Sequence, residues 1–114
     1  VSDAPTIFSR IIAREIPATI VYEDEQSLAF KDMHAAAPFH VLVIPKRALA
    51  NIDAMSGEDA ALFGHLVWVC KKVANEAGYN DYRVVANVGA NAGQTVFHHH
   101  FHVLAGRPLK WPPG

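Results

Sequence analysis

Residues 97–104 read FHHHFHVL and hold four of the chain's seven histidines, all between positions 98 and 102. Near neutral pH an imidazole can ligate a metal, move a proton or attack an electrophile. Which of these is open depends on where the rings point. If the stretch is a strand, alternate side chains share a face, and same-face Cα atoms lie roughly 6.6–7 Å apart. His98, His100 and His102 then project together, while Phe97, His99, Phe101 and Val103 project the other way. The apolar majority of the second set makes that face the core side. Three readings of the row stand at this point: a solvent-facing polar strand, a zinc site built on a strand His-x-His pair, or a catalytic group.

The residues just upstream weigh on that choice. Asn87 and the loop 89–95 (GANAGQT) precede the row. Glycines let a backbone turn several N–H groups inward, and such concavities hold anion oxygens. Asn87, Gln94 and Thr95 add side-chain donors. An anion loop beside a row of imidazoles points to phosphorus chemistry, in which a neutral histidine attacks phosphate and forms a phosphorus–nitrogen bond. Crowded imidazoles resist a second positive charge, so the attacking ring stays unprotonated. A metal site would need ligands converging on one point, which a straight row on one strand does poorly.

The elements that must position these groups follow from periodicity. Residues 6–14 (TIFSRIIAR) place Ile7, Phe8, Ile11 and Ile12 at helical spacing after Pro5. Ile16-Pro17 stops that helix, because a residue before proline avoids the α region. Residues 19–23 and 27–32 read as strands joined by a hairpin at 24–26, with a loop at 33–38 and a third strand at 39–46. A long helix begins at Ser56, whose side chain is an N-cap with Glu58 and Asp59 in the first turn. Its apolar stripe is Leu62, Leu66, Val69, Cys70, Val73 and Ala77, widened by Phe63, Val67 and Ala74. Gly78 ends it as a left-handed residue would. Strands at 81–87 and 97–104 complete an α+β domain with an antiparallel meander. His34 and His65 fall outside these patterns and are expected at the surface.

Composition describes the setting. A chain of 114 residues with 51% hydrophobic content suits one domain, or one that hides further surface in an oligomer. Ten Lys+Arg against eleven Asp+Glu leave a net charge of −1, with signs mixed along the chain. That excludes the basic stripe of a nucleic-acid binder and a polybasic membrane segment. The longest apolar runs, such as VLVIP at 41–45, are too short to span a bilayer, and nothing like a leader opens the sequence. The single cysteine, Cys70, forbids an internal disulfide and fits a reducing, cytoplasmic compartment. It is expected as an inert buried thiol.

The run from His98 to Leu104 resembles the histidine triad motif, His-φ-His-φ-His-φ-φ with φ apolar. The similarity extends from about Thr6 to Gly114. The segments TIFSRIIAREIPA, SLAFKDMHAAAPFHVLVIPK, NVGANAGQTVFHHHFHVLAGR and the terminal WPPG resemble, in order and spacing, the Hint branch of histidine triad nucleotide-binding proteins. The resemblance implies one α+β domain over 1–114, with about five antiparallel strands, one short and one long helix, and a sheet continued across a homodimer. It also implies hydrolysis of purine nucleoside 5′-phosphoramidates through a nucleotidyl-histidine, releasing AMP or GMP, with neither metal nor cofactor. A dinucleoside polyphosphate hydrolase and a non-catalytic nucleotide-binding module share the triad; the WPPG tail favours the Hint branch over the former.

Carried over by position, His100 would be the nucleophile, His102 would contact the phosphate, His98 would support His100, and His40 would pack near the triad. Asn87, Gly93, Gln94 and Thr95 would cradle the phosphate and leaving group. Asp32 would accept the ribose hydroxyls, and Phe8, Ile11, Phe30, Met33 and Leu42 would wall the base. Trp111 would sit near the partner subunit's active site. Without the resemblance, Asp32 also reads as a turn residue, and Phe8, Ile11 and Phe30 as plain core. Three positions depart from the family pattern: Thr95 where many relatives have serine, His99 where they have an apolar residue, and Ala48 where many have histidine.

Overall fold

The computed structural model describes residues 5–114. Its first element is a short helix, α1 (Ile7–Ile12). Thr6 caps it reciprocally: the Thr6 hydroxyl accepts the Ser9 N–H, and the Ser9 hydroxyl accepts the Thr6 N–H. Two donors that a helix start leaves free are thereby satisfied. Phe8 and Ile11 are its buried residues, at the spacing that puts two side chains on one face. The helix is shorter than the 6–14 expected, because Arg14 turns the chain out with φ 64°.

Five strands follow: β1 (Ile20–Glu23), β2 (Ser27–Lys31), β3 (Phe39–Pro45), β4 (Tyr82–Val85) and β5 (Phe101–Ala105). They form one antiparallel sheet in the order β1-β2-β3-β5-β4. The α+β class is as expected, but the simple meander is not, since β5 inserts between β3 and β4. Burial explains the insertion. Phe101, Val103 and Ala105 of β5 are all buried, whereas no residue of β4 is fully buried and Val84 is exposed. The more apolar strand gains more from the centre, and β4 takes the edge.

The long helix, α2 (Ala60–Glu76), grows out of a 3₁₀ turn at Gly57–Asp59. Ser56 caps that turn: its hydroxyl accepts the Glu58 N–H, and the Asp59 carboxylate accepts the Ser56 N–H at 2.8 Å. At the other end Gly78 has φ 92°, and the Tyr79 N–H reaches the Ala74 carbonyl at 2.9 Å. This is the six-to-one closure of a Schellman stop, which needs a residue at ease with positive φ. The buried stripe is Phe63, Leu66, Val69, Cys70, Val73 and Ala74; Val67 and Ala77, expected within it, are exposed. Cys70 is fully buried, and burial pushes its thiol up to about 12. His65 is not a loose surface residue, since it stacks on Trp68 and donates to the Asp24 carboxylate at 2.6 Å. It thereby ties α2 to the β1–β2 turn.

Strand alternation divides the sheet between two cores. Ala29, Val41, Val43, Phe101 and Val103 face α2. Leu28, Phe30, Leu42 and Ile44 face the other way, against Phe8 and Ile11 of α1. β3 is buried on both faces, as its apolar run VLVIP at 41–45 suits. Among the described residues, no helix is long and apolar enough to cross a membrane.

Candidate active site

β5 begins at Phe101, not at Phe97, so His98, His99 and His100 precede the ladder. Their hydrogen bonds go elsewhere: the His99 N–H bonds the Leu49 carbonyl at 2.6 Å, and the His98 ring bonds the Pro45 carbonyl at 2.7 Å. The alternation of faces nevertheless holds through this segment. Phe8 of α1 meets the rings of His98 and His100, with centroids 6.2 and 4.9 Å away. His99 points to the opposite side, against Phe63 of α2 at 4.7 Å and Phe101 at 4.6 Å. The three triad rings do not form a straight row. His100 folds back so that its Nδ1 lies 2.8 Å from the carbonyl of His98, and its ring sits 4.9 Å from that of His102.

These contacts assign the protons. A carbonyl only accepts, so the Nδ1 of His100 carries hydrogen and donates, which leaves a lone pair on Nε2. His98 is held in the opposite tautomer, donating from Nε2 to Pro45. His40 accepts the Ala36 N–H on Nδ1 at 2.9 Å, so its hydrogen is on Nε2. That Nε2–H lies 2.9 Å from Nδ1 of His102 and 3.3 Å from Oδ2 of Asp32. His102 therefore accepts on Nδ1 and keeps its own hydrogen on Nε2. Burial is the main cause that lowers the basicity of His40, His98 and His100, and with neighbouring imidazoles it pushes His102 down to about 4. The triad is a set of neutral rings with assigned donors and acceptors.

Asp32, His40 and His102 offer ligand atoms within 4.8 Å of one another, a donor set of the kind a divalent cation uses. The tautomers do not fit that role. His40 already accepts from Ala36 on Nδ1, so its Nε2 bears hydrogen and has no lone pair for a metal.

His100 and His102 line a cavity of about 320 Å³, together with Phe8, Ile11, Phe30, Asp32, Met33, Leu42 and Thr95. Sequence reasoning missed further lining from Ile7, Ile16, Pro17, Ala18, Lys31, His34 and Val96. Ile16-Pro17 had served only as a helix stop, and nothing in its local pattern marks it as a wall. Met33 is a rim residue, 84% exposed. A larger depression of about 640 Å³ lies between residues 78–83 and 106–109, but no histidine lines it; His100 and His102 line the smaller cavity.

Six expected site residues stand outside that lining: His40, His98, Asn87, Gly93, Gln94 and Trp111. The first two brace the triad from behind, as described above. The Gln94 side chain is buried and fully engaged within the protein. Its Nε2 donates to the carbonyls of Ala50 and Val96, and its Oε1 accepts from Gly89 N–H and Asn51 Nδ2. It is a latch that holds the glycine loop in shape rather than a free donor. Gly93 has φ 102°, and a Cβ there would come 3.5 Å from Asn87 Nδ2. Trp111 is 81% exposed at the end of the chain. The tail that carries it is held by Arg83, which donates to the carbonyls of Leu109 and Lys110.

Comparison with known proteins agrees with this geometry. The HIT domain family model matches residues 13–109. A HIT-like protein of Synechocystis sp. is 58% identical over 110 residues, covering 96% of each chain. One from Synechococcus elongatus is 53% identical with the same coverage. The solved HIT family hydrolase from Legionella pneumophila superposes with a TM-score of 0.94 at 42% identity, covering 96% of this chain and 100% of that one. A histidine triad protein from Clostridium difficile gives 0.88 at 40% identity, covering 91% and 92%. The carbonyl-held histidine pair, the cavity beside it and relatives that match end to end agree: the chain belongs to the HIT domain family.

Proposed function

We propose that this HIT protein is a hydrolase that cleaves the phosphorus–nitrogen bond of purine nucleoside 5′-phosphoramidates through a covalent nucleotidyl-His100. The observation that carries the reading is the bond from His100 Nδ1–H to the His98 carbonyl, which leaves the Nε2 lone pair beside a cavity of about 320 Å³. The apolar walls from Phe8, Ile11, Phe30 and Leu42 suit a planar base, and Asp32 on the same cavity suits the ribose hydroxyls. Nε2 of His100 attacks the α-phosphorus, the phosphorus–nitrogen bond breaks, and the amine departs with a proton. Water then cleaves the new phosphorus–nitrogen bond to His100 and releases AMP or GMP. Throughout, the Nε2–H of His102 can donate to a phosphate oxygen, with Thr95 on the same cavity as a further donor. Two solved relatives, from Legionella pneumophila and Clostridium thermocellum, are described as HIT family hydrolases, which supports the reaction class.

The same reading places the protein in the cytoplasm as a homodimer, with the sheet continued between subunits and Trp111 near the partner subunit's active site. The exposed Val84 on the edge strand β4 and the exposed indole of Trp111 support it. The test is intact mass after mixing with adenosine 5′-phosphoramidate, followed by peptide mapping. A nucleotidyl adduct on His100, formed and discharged at the turnover rate after exhaustive chelation, is the expected result. An adduct on His98 or His102, or turnover that stops when metal is removed, would overturn it.

A further inference from the structure

The Nδ1 of His40 is held as an acceptor by one backbone N–H, that of Ala36, in the loop between β2 and β3, while Asp32 Oδ2 lies 3.3 Å from its Nε2. Ala36 is itself exposed and its side chain is a methyl, so nothing in its own chemistry fixes its peptide. What grips it comes from the far end of β5. Arg107 Nη2 donates to the Ala36 carbonyl at 2.9 Å. One residue earlier, Gly106 has φ 100°, and a Cβ there would stand 2.9 Å from Pro38 Cβ. The exit of β5 thus lies flush against the loop and holds it by hydrogen bond.

From that grip a chain of donors runs inward: Arg107 to the Ala36 carbonyl, Ala36 N–H to His40 Nδ1, His40 Nε2–H to His102 Nδ1. The first two links have a fixed sense, because guanidinium and amide N–H groups only donate, and the second sets the third by leaving the His40 hydrogen on Nε2. If Ala36 swung away, His40 could carry its hydrogen on Nδ1 instead, and its bare Nε2 would then accept from Nδ1 of His102. We infer that Arg107 is a positioning residue, setting through Ala36 and His40 which nitrogen of His102 carries the hydrogen offered to substrate. The inference uses the proposed hydrolysis for its kinetic readout alone; the tautomer itself is measured without any substrate.

The experiment compares wild type, Arg107→Met and Arg107→Lys, each full length with ¹⁵N-labelled histidine. Long-range ¹H–¹⁵N correlations at neutral pH report which ring nitrogen is protonated. In wild type His40 should show a bare Nδ1 and a protonated Nε2. In Arg107→Met that distinction should blur or reverse at His40 and His102, and kcat on a phosphoramidate should fall about 2- to 10-fold with KM little changed, the worth of one hydrogen bond. Arg107→Lys, which can still donate to Ala36, should recover part of both signals. An unchanged His40 tautomer in Arg107→Met would overturn the inference, whatever the kinetics. Absent phosphoramidate turnover in wild type would instead strike the proposed reaction and leave the tautomer result standing.

Discussion

His99 and His100 are neighbours in sequence, both are buried, and both are made less basic by burial. They lie on opposite faces of one sheet, and the faces treat them differently. On the α2 face His99 is wedged between Phe63 and Phe101, and its Nε2 has no partner. On the α1 face His100 has one nitrogen bonded to a carbonyl, while its ring borders an open cavity. An unpartnered nitrogen is a cost in the first place and, in the proposed reaction, a reagent in the second. The difference lies in the space beside the ring and in what fixes its other nitrogen. The α2 face is for packing, and the α1 face gives up some packing for access.

Substitutions that separate the two faces test this contrast. The largest effect should come from His100→Asn, which removes the proposed nucleophile and should lower turnover by on the order of 10³-fold or more while the melting temperature holds. Parallel loss of fold by thermal melt would mean the α1 face is structural after all. Leu66→Ala should do the reverse. Leu66 is a fully buried residue of α2, and its truncation should cost about 2–5 kcal/mol in denaturant unfolding, with kcat at permissive temperature nearly unchanged.

A smaller effect comes from pH. Burial, with help from His100 and His98, pushes His99 down to about 4 from its ordinary 6.5. Between those values the unfolded chain binds a proton that the folded chain refuses, so stability rises with pH across that window. The contribution is fully present above about pH 6.5 and is lost as the pH falls toward 4. His99→Leu removes both the titration and the unpartnered nitrogen. It should gain about 1–3 kcal/mol at neutral pH from losing the unpartnered nitrogen, and more at the acid end. Melting curves from neutral pH to pH 5 should fall more steeply for wild type than for His99→Leu, although His102 titrates in both. Equal slopes would show that His99 is not the group refusing the proton.

The smallest effect should follow deletion of residues 109–114. The tail touches the body through Arg83, and Trp111 is exposed within one subunit. Sedimentation should report the proposed dimer for the truncated chain, while the ratio of kcat/KM for a bulky against a small phosphoramidate leaving group shifts. An unchanged ratio would remove the tail from the site.

Local pattern made much of this legible. Alternation along 97–104 placed His98, His100 and His102 opposite His99, and that held even though 98–100 lie outside the ladder, because extended backbone alternates with or without a partner strand. The Ser56 cap and the Gly78 stop were readable because each satisfies groups within a few residues. Other features were not readable. The insertion of β5 between β3 and β4 reflects competition between two strands for one edge of β3, which no window along either strand contains. Gln94 looked like a free donor because its four hydrogen-bond partners include Ala50 and Asn51, far away in sequence.

By itself the sequence determined the α+β class, the cap and stop of the long helix, and which histidines share a side. Those follow from local sterics and side-chain period. Only the tertiary structure decided which nitrogen of each imidazole holds the hydrogen, because the groups that decide it are carbonyls and N–H groups of Pro45, His98 and Ala36. Every residue but proline carries the same backbone donor and acceptor. Their identity says nothing, and only their placement by the fold turns a cluster of histidines into ordered donors and acceptors.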